Sequence, residues 1–344
     1  MGWTRLNSPG RLLALGAAVM TAGLVVSMVL ASRSSGTDRG QVAVAPSAPT
    51  TAASPLAAPT RNAVARVTAP TSTVRPPAPT PTPTPTPTPA PTPTSEPFTG
   101  DAAVQAGIAA VDRLDARLPA SVEVGVAVQD RATGKLVVGK YGAQQFYSAS
   151  VAKLFLITEL LHEKEAGEIQ LTATDIDLMK RALSASDDAA MDSLWETFDG
   201  PQTLSELIES LQLTQTTVPT DTGEWGEMLT TSSDVIAVYD DVLDRLTTAD
   251  RDFVVGALGA ATDSGADGFD QAFGLLAPPR RADVKAKQGW MSYQSKYTLD
   301  TTGLLGSDNR YVVALLTTQS AAAGWDSARS VDNEAIAALL GRNG

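Results

Sequence analysis

Residues 32–98 set the first limit on what this chain can fold into. They are mainly Ala, Thr, Ser and Pro, with sixteen prolines and an unbroken Pro-Thr alternation from Pro79 to Thr88. Proline fixes φ and removes the amide donor, so neither a helix nor a sheet ladder can run through such a stretch. Its few aliphatic side chains cannot offset the entropy of ordering it. The segment reads as a disordered Pro/Thr-rich linker of polyproline-II character, reaching on the order of 200 Å when fully extended. Any core must be built outside it.

On its N-terminal side, Leu12 to Ala31 form an uncharged, largely apolar run of twenty residues behind Arg5 and Arg11. A charged start followed by such a run is the pattern of a secretory signal. As a helix rising about 1.5 Å per residue, it also has the length to cross a bilayer. Val29-Leu-Ala31 supplies small residues at the −3 and −1 positions of a cleavage site. Residues 1–31 are therefore expected to be a signal peptide or a signal-anchor helix, which if uncleaved holds the chain to the membrane through residues 12–31. Either way the remainder lies outside the cytoplasm, membrane-anchored or secreted into the cell wall.

Residues 101–344 are left to form the folded domain. The whole chain carries −12, but the first hundred residues hold seven arginines against Asp38 and Glu96, which leaves −17 on the domain. A surface of that sign repels nucleic acid, and no nucleic-acid partner is expected. With no cysteine in 344 residues, disulfides, thiolate catalysis, cysteine metal sites and N-terminal cysteine lipidation are excluded together. One histidine, His162, leaves no zinc site to propose, and neither metal nor cofactor is implied.

Asp101 to Leu118 has helical apolar spacing, and Ser121 to Val128 alternates with period two, as a half-buried strand does. A turn at Asp130–Lys135 leads to a second strand, Leu136 to Gly139. A long helix is expected from Val151 to Ala166, then a mostly helical stretch to Ala260, punctuated by Gly200-Pro201 as a stop and Thr230–Asp234 as an N-cap. Val284–Trp290, Thr298–Leu305 and Arg310–Thr318 read as strands, and Asp332–Leu340 as a closing helix. The pattern is α+β: an antiparallel five-stranded sheet flanked by helices, with an all-helical second lobe.

The lone histidine also narrows the chemistry. His162 lies twelve residues beyond Ser150 on what reads as one helix, about 18 Å along its axis, too far to act as that serine's base. It is expected at the surface or its boundary. A lysine can activate a serine instead, and Ser150-Val-Ala-Lys153 places the two as i and i+3 helix neighbours. Alone, that spacing is also what an N-cap with a surface lysine would give. Two further segments follow it: Ser184-Ala-Ser186-Asp187-Asp188, between helical runs, and Lys287-Gln288-Gly289-Trp290, on an expected strand. This order resembles the three-motif signature of the class A-like serine β-lactamases and penicillin-binding-protein transpeptidases.

The resemblance covers 101–344 and implies roles. Ser150 would attack a carbonyl, Lys153 would take its proton, and Ser186 would relay a proton to the leaving nitrogen. Lys287 would polarise Ser186 and set the field for a substrate carboxylate, and the amides of Ser150 and Trp290 would form an oxyanion hole. Asp188, Gln288, Gly289 and Trp290 would contact substrate. Two of these depart from the family pattern. Asp188 stands where the family has asparagine, so it cannot donate to a carbonyl unless protonated, and its charge should raise the pKa of Lys153. Gln288 replaces a hydroxyl residue. The loop glutamate that drives deacylation in class A enzymes has no counterpart motif; Glu224 and Glu227 are the candidates for that step. The short Ser150–Ser186 interval implies a reduced helical lobe.

Three functions fit these residues. The first is a cell-wall-associated serine hydrolase that forms an acyl-enzyme with D-alanyl peptide or β-lactam amides, with peptidoglycan stem peptide or a β-lactam as its partner. The second is a catalytically weak or inactive module of the same fold that binds peptidoglycan. The third is an active β-lactamase.

Overall fold

The computed structural model describes residues 100–342; the apolar segment 12–31 and the linker 32–98 lie outside them. The period-two segment becomes β1 (Glu123–Asp130), and the Asp130 turn leads into β2 (Lys135–Val138). After the helical lobe come β5 (Lys285–Tyr293), β6 (Lys296–Leu305) and β7 (Tyr311–Ser320). Together they form the expected five-stranded sheet, in the order β2-β1-β7-β6-β5, with every neighbouring pair antiparallel. Strands β6 and β7 are buried along nearly their whole length because helices cover both faces.

One face is covered by α1 (Asp101–Asp115) and α8 (Trp325–Leu339). Val104, Ile108 and Val111 of α1 and Ile336 and Leu339 of α8 pack with Val126, Val313 and Leu315 of the sheet. Each such side chain, fully buried, contributes about 1.5–3 kcal/mol. A Cβ on Gly107 would sit 2.3 Å from the Leu339 carbonyl oxygen, so only glycine lets α1 approach α8 this closely. Helix α8 starts at Trp325, not Asp332. Its first two turns are mostly polar, held by an Arg329–Asp326 ion pair, and so carry no apolar period to read.

On the other face α6 (Ser232–Asp244) rests on β1 and β7, and within the lobe lies α2 (Ala152–Ala166), which is apolar on nearly every side of its first half and ends at Gly167 in left-handed conformation. A helix of that kind belongs in an interior. Around it stand α3 (Ala173–Ser184), α4 (Asp188–Thr197), α5 (Gly200–Ser210), α6 and α7 (Thr248–Gly259). Only α3 separates α2 from Ser186. The starts of α3, α4, α6 and α7 are capped by the side chains of Thr172, Asp187, Thr231 and Thr247. Gly200-Pro201 opens α5 and is not a stop: proline in the first turn loses no helical hydrogen bond.

The short ladder of β3 (Phe146–Tyr147) with β4 (Leu229–Thr230) has no period visible in sequence, since each strand has two residues. It ties the segment before Ser150 to the loop after α5, and the Ser148 amide donates to the Met228 carbonyl at 2.8 Å. No helix among the described residues is long and apolar enough to cross a membrane.

Candidate active site

Ser150 lies in a single 3-10 turn, Ala149–Val151, that feeds directly into α2. Ala149 has φ 42°, a left-handed conformation that costs a residue with a Cβ about 1 kcal/mol or more. The turn is fixed by β3 on one side and by the buried start of α2 on the other. Lys153, one helical turn on, is fully buried, and its Nζ donates to Ser150 Oγ at 2.6 Å and to Asp188 Oδ1 at 2.7 Å. The Trp225 ring covers the same ammonium, 4.1 Å from ring centre to Nζ.

Ser186 closes the gap between α3 and α4 and also has positive φ, 52°. Asp187 then caps α4 and pairs with Arg181, which fixes where Ser186 and Asp188 emerge. Lys287, from β5, is buried as completely as Lys153 and donates to Ser186 Oγ and to the Gln288 carbonyl, both at 2.7 Å. The structure thus builds two serine–lysine pairs, and the Lys153–Asp188 bond ties the Ser186 segment to the nucleophile.

Electrostatics separate the two lysines. Burial holds Lys153 below the usual lysine range, against the opposing charge of Asp188. As expected from the sequence, the Asp188 carboxylate pushes the lysine upward; loss of water, which the sequence does not show, outweighs it. Lys287 is driven further down, first by burial and then by the charge of Lys153.

Beside Ser150 opens a cleft of about 360 Å³ whose walls include Asp188, Asp192, Glu224, Trp225, Trp290 and Met291. Trp290 is stacked on Phe269, 4.8 Å between ring centres, and its Nε1 donates to Asp267, so the ring is a fixed wall. A Cβ on Gly289 would meet Ser148 O and Asp300 Oδ2 at 3.0 Å; glycine is what lets β5 lie against the nucleophile turn.

Two expected site residues, one for substrate contact and one for deacylation, do not line the cleft. Gln288 points away from the cleft: it is buried, and its Nε2 donates to the carbonyls of Phe273 at 2.6 Å and Gln271 at 3.2 Å. Alternation along β5 accounts for this, since Lys287 and Gly289 face the nucleophile and the residue between them faces the opposite side. Of the two loop glutamates, Glu224 lines the cleft, whereas Glu227 does not and acts on Tyr147. His162 sits at the boundary as expected, but bonded to the buried Asp241 at 2.5 Å.

Sequence reasoning missed Asp192, Trp225 and Asp300. Asp192 follows Asp188 by four residues, so both share one face of α4, a spacing that was available to be read. Its carboxylate accepts from Trp225 Nε1 at 2.8 Å. Asp300 stands directly across from Gly289 on β6, fully buried, with Oδ2 lacking a hydrogen-bond partner. Burial, and then Asp332, raise its pKa well above the carboxylate range. No local pattern announces it.

Comparison with known proteins agrees with this architecture. Residues 109–176, which contain Ser150 and Lys153, match the model of the Beta-lactamase enzyme family. Over 202 residues, 58% of this chain, it is 32% identical to the "Putative lipoprotein LppW" of Mycobacterium tuberculosis and to that of Mycobacterium bovis. That stretch spans 64% of the length of those relatives. Among solved structures, a class A β-lactamase from Bacteroides cellulosilyticus superposes with TM-score 0.57 at 17% identity, covering 69% of this chain and 97% of that one. A mutant of the last common ancestor of Gram-negative bacteria class A β-lactamase gives 0.56 at 21% identity, covering 68% and 97%. Set beside two serine–lysine pairs in the expected order and a five-stranded sheet with a helical lobe, these likenesses make the domain a divergent β-lactamase-fold protein.

Proposed function

We propose that this domain is an envelope-facing serine hydrolase that works through an acyl-enzyme on Ser150. The observation that carries the reading is Lys153 Nζ, stripped of water and 2.6 Å from Ser150 Oγ at the edge of an open cleft. A lysine below its usual pKa has a larger neutral fraction and is a readier proton acceptor than a solvated one. In the first half-reaction Ser150 Oγ bonds to the acyl carbon and its proton passes to Lys153. Ser186, polarised by Lys287, gives its hydroxyl proton to the departing nitrogen or oxygen as that bond breaks, and is reprotonated from the lysine pair. Water then attacks the ester, its proton leaving towards Glu224 or Lys153, and Ser150 is regenerated. The Ser150 and Trp290 amides would hold the oxyanion.

D-alanyl peptides and β-lactams define the acyl-transfer chemistry of the family that the motifs resemble, and the domain's own substrate is sought within that chemistry. The apolar segment 12–31 and the long linker suit a domain displayed at the envelope, and the LppW relatives carry a lipoprotein name. Asp188 favours a second reading, a peptidoglycan-binding module, because it helps keep Lys153 protonated. Labelling with a fluorescent fluorophosphonate and a fluorescent penicillin separates the two. Hydrolase chemistry gives a band with at least one probe that disappears in Ser150→Ala. Absence of any band, with retention on peptidoglycan fragments that Ser150→Ala leaves unchanged, means the binding module.

A further inference from the structure

The cleft beside Ser150 has a charge pattern that the proposed chemistry does not require. Its charged walls are Asp188, Asp192 and Glu224, and no lysine or arginine is among the described residues that line it. Acidic side chains around a depression are often only a solvated rim, but two of these are held in place. Asp188 is fixed by Lys153 Nζ at 2.7 Å and Asp192 by Trp225 Nε1 at 2.8 Å. Lys153 offsets one of the three charges, which leaves the cleft with a surplus of negative charge.

Neither residue of β5 expected to read a substrate carboxylate lines the cleft. Lys287 is wholly buried and committed to Ser186 and a backbone carbonyl, and Gln288 faces the opposite side of the sheet. A carboxylate brought into the cleft would lose water beside fixed charges of its own sign. Two indole rings, Trp225 and Trp290, complete the walls; Trp225 already carries the Lys153 ammonium on its ring and Trp290 is stacked on Phe269, so neither brings positive charge to the cleft.

From this we infer that the substrate of the Ser150 site is an acyl donor bearing an ammonium group close to the scissile carbonyl, not a carboxylate. The inference rests on the hydrolase reading and narrows it. An amine-bearing peptide amide or a cationic ester fits the cleft, and a penicillin or a peptide ending in a free carboxylate beside the scissile bond does not. Any carboxylate on the true substrate lies outside the cleft.

Three butyryl thioesters that share one acyl group test the point: thiocholine, its neutral 3,3-dimethylbutyl isostere, and 3-mercaptopropionate. A second series carries the ammonium, neutral or carboxylate group on the acyl side with a common thiol. In at least one series, kcat/KM should favour the cation over the neutral compound by roughly ten-fold, with the carboxylate slowest. Added salt and Asp192→Asn should each shrink that ratio. Equal rates in both series, or a carboxylate preference, overturn the inference while leaving the hydrolase standing. No reaction with any thioester and no fluorophosphonate adduct on Ser150 overturns both.

Discussion

Beneath the cleft, in a floor buried behind the residues that line it, Lys153 and Lys287 have lost their water and each is held by a serine hydroxyl, at 2.6 and 2.7 Å. At the rim of the cleft, Asp192 and Glu224 remain exposed. The two regions adjoin and handle charge in opposite ways. Below, burial suppresses charge and makes bases; above, carboxylates keep their water and set a field. Class A-like chemistry needs the floor, whereas recognition of penicillin-like anions needs a rim of the opposite sign. Under the proposed function, a floor with both serine–lysine pairs and an acidic rim favour an active enzyme with a different substrate over a fold that has lost its chemistry.

The floor should be the more sensitive region. Ser150→Ala should remove acylation, a loss of about 10⁴-fold or more measured with an activated ester, because Ser150 is the hydroxyl of the two serine–lysine pairs that lines the cleft. Lys153→Met should cost about 10³-fold in the same assay, since Ser150 would lose its proton acceptor. If Lys153→Met retained full rate, the serine–lysine pairing would be structural and the contrast between floor and rim would collapse. Ser186→Ala should slow amides by about 10²-fold and activated esters much less, because a good leaving group needs no proton.

The floor was also the more legible region in sequence. Ser150, Lys153, Ser186 and Lys287 stand in short motifs whose spacing follows from one helical turn or from the end of one strand, so a local reading finds them. The sheet was legible for the same reason: β1, β5, β6 and β7 each carry enough residues to show a pattern. The rim is assembled from far apart, with Asp192 from α4, Trp225 from the loop after α5 and Trp290 from β5. Only the fold brings them together. Gln288 was misplaced because a motif read as a string ignores that neighbouring residues of a strand face opposite ways. The β3–β4 ladder was too short to show, although it is what pins the loop of Trp225 against the turn of Ser150.

Asp188 bridges the two regions, and its removal should sharpen the difference between them. Its charge raises the pKa of Lys153 against the effect of burial. Asp188→Asn should therefore let that pKa fall further and move the rising limb of the acylation pH profile to lower pH. A shift to higher pH would mean that Asp188 acts on Lys153 other than through its charge.

The smallest effect is expected at the far end of α2, where charge is buried without a catalytic use. Glu159 is pushed up to about 7 by burial, with the charge of His162 opposing the rise, and its Oε2 has no hydrogen-bond partner. A carboxyl whose folded pKa lies above its unfolded value loses stability as pH rises between the two. Glu159→Gln should thus raise stability by about 1–2 kcal/mol at pH 8 and change it little at pH 4.5, measured by urea unfolding. Equal effects at both pH values would show that Glu159 is ionised throughout and paired in solution.

The claim on which the rest depends is that Ser150 is an activated nucleophile. Intact-protein mass spectrometry after incubation of the domain with a fluorophosphonate tests it most directly. One adduct should form, map to Ser150 after digestion, and be absent from Ser150→Ala. Unmodified protein after prolonged incubation, or an adduct that maps to another residue and survives Ser150→Ala, would contradict it.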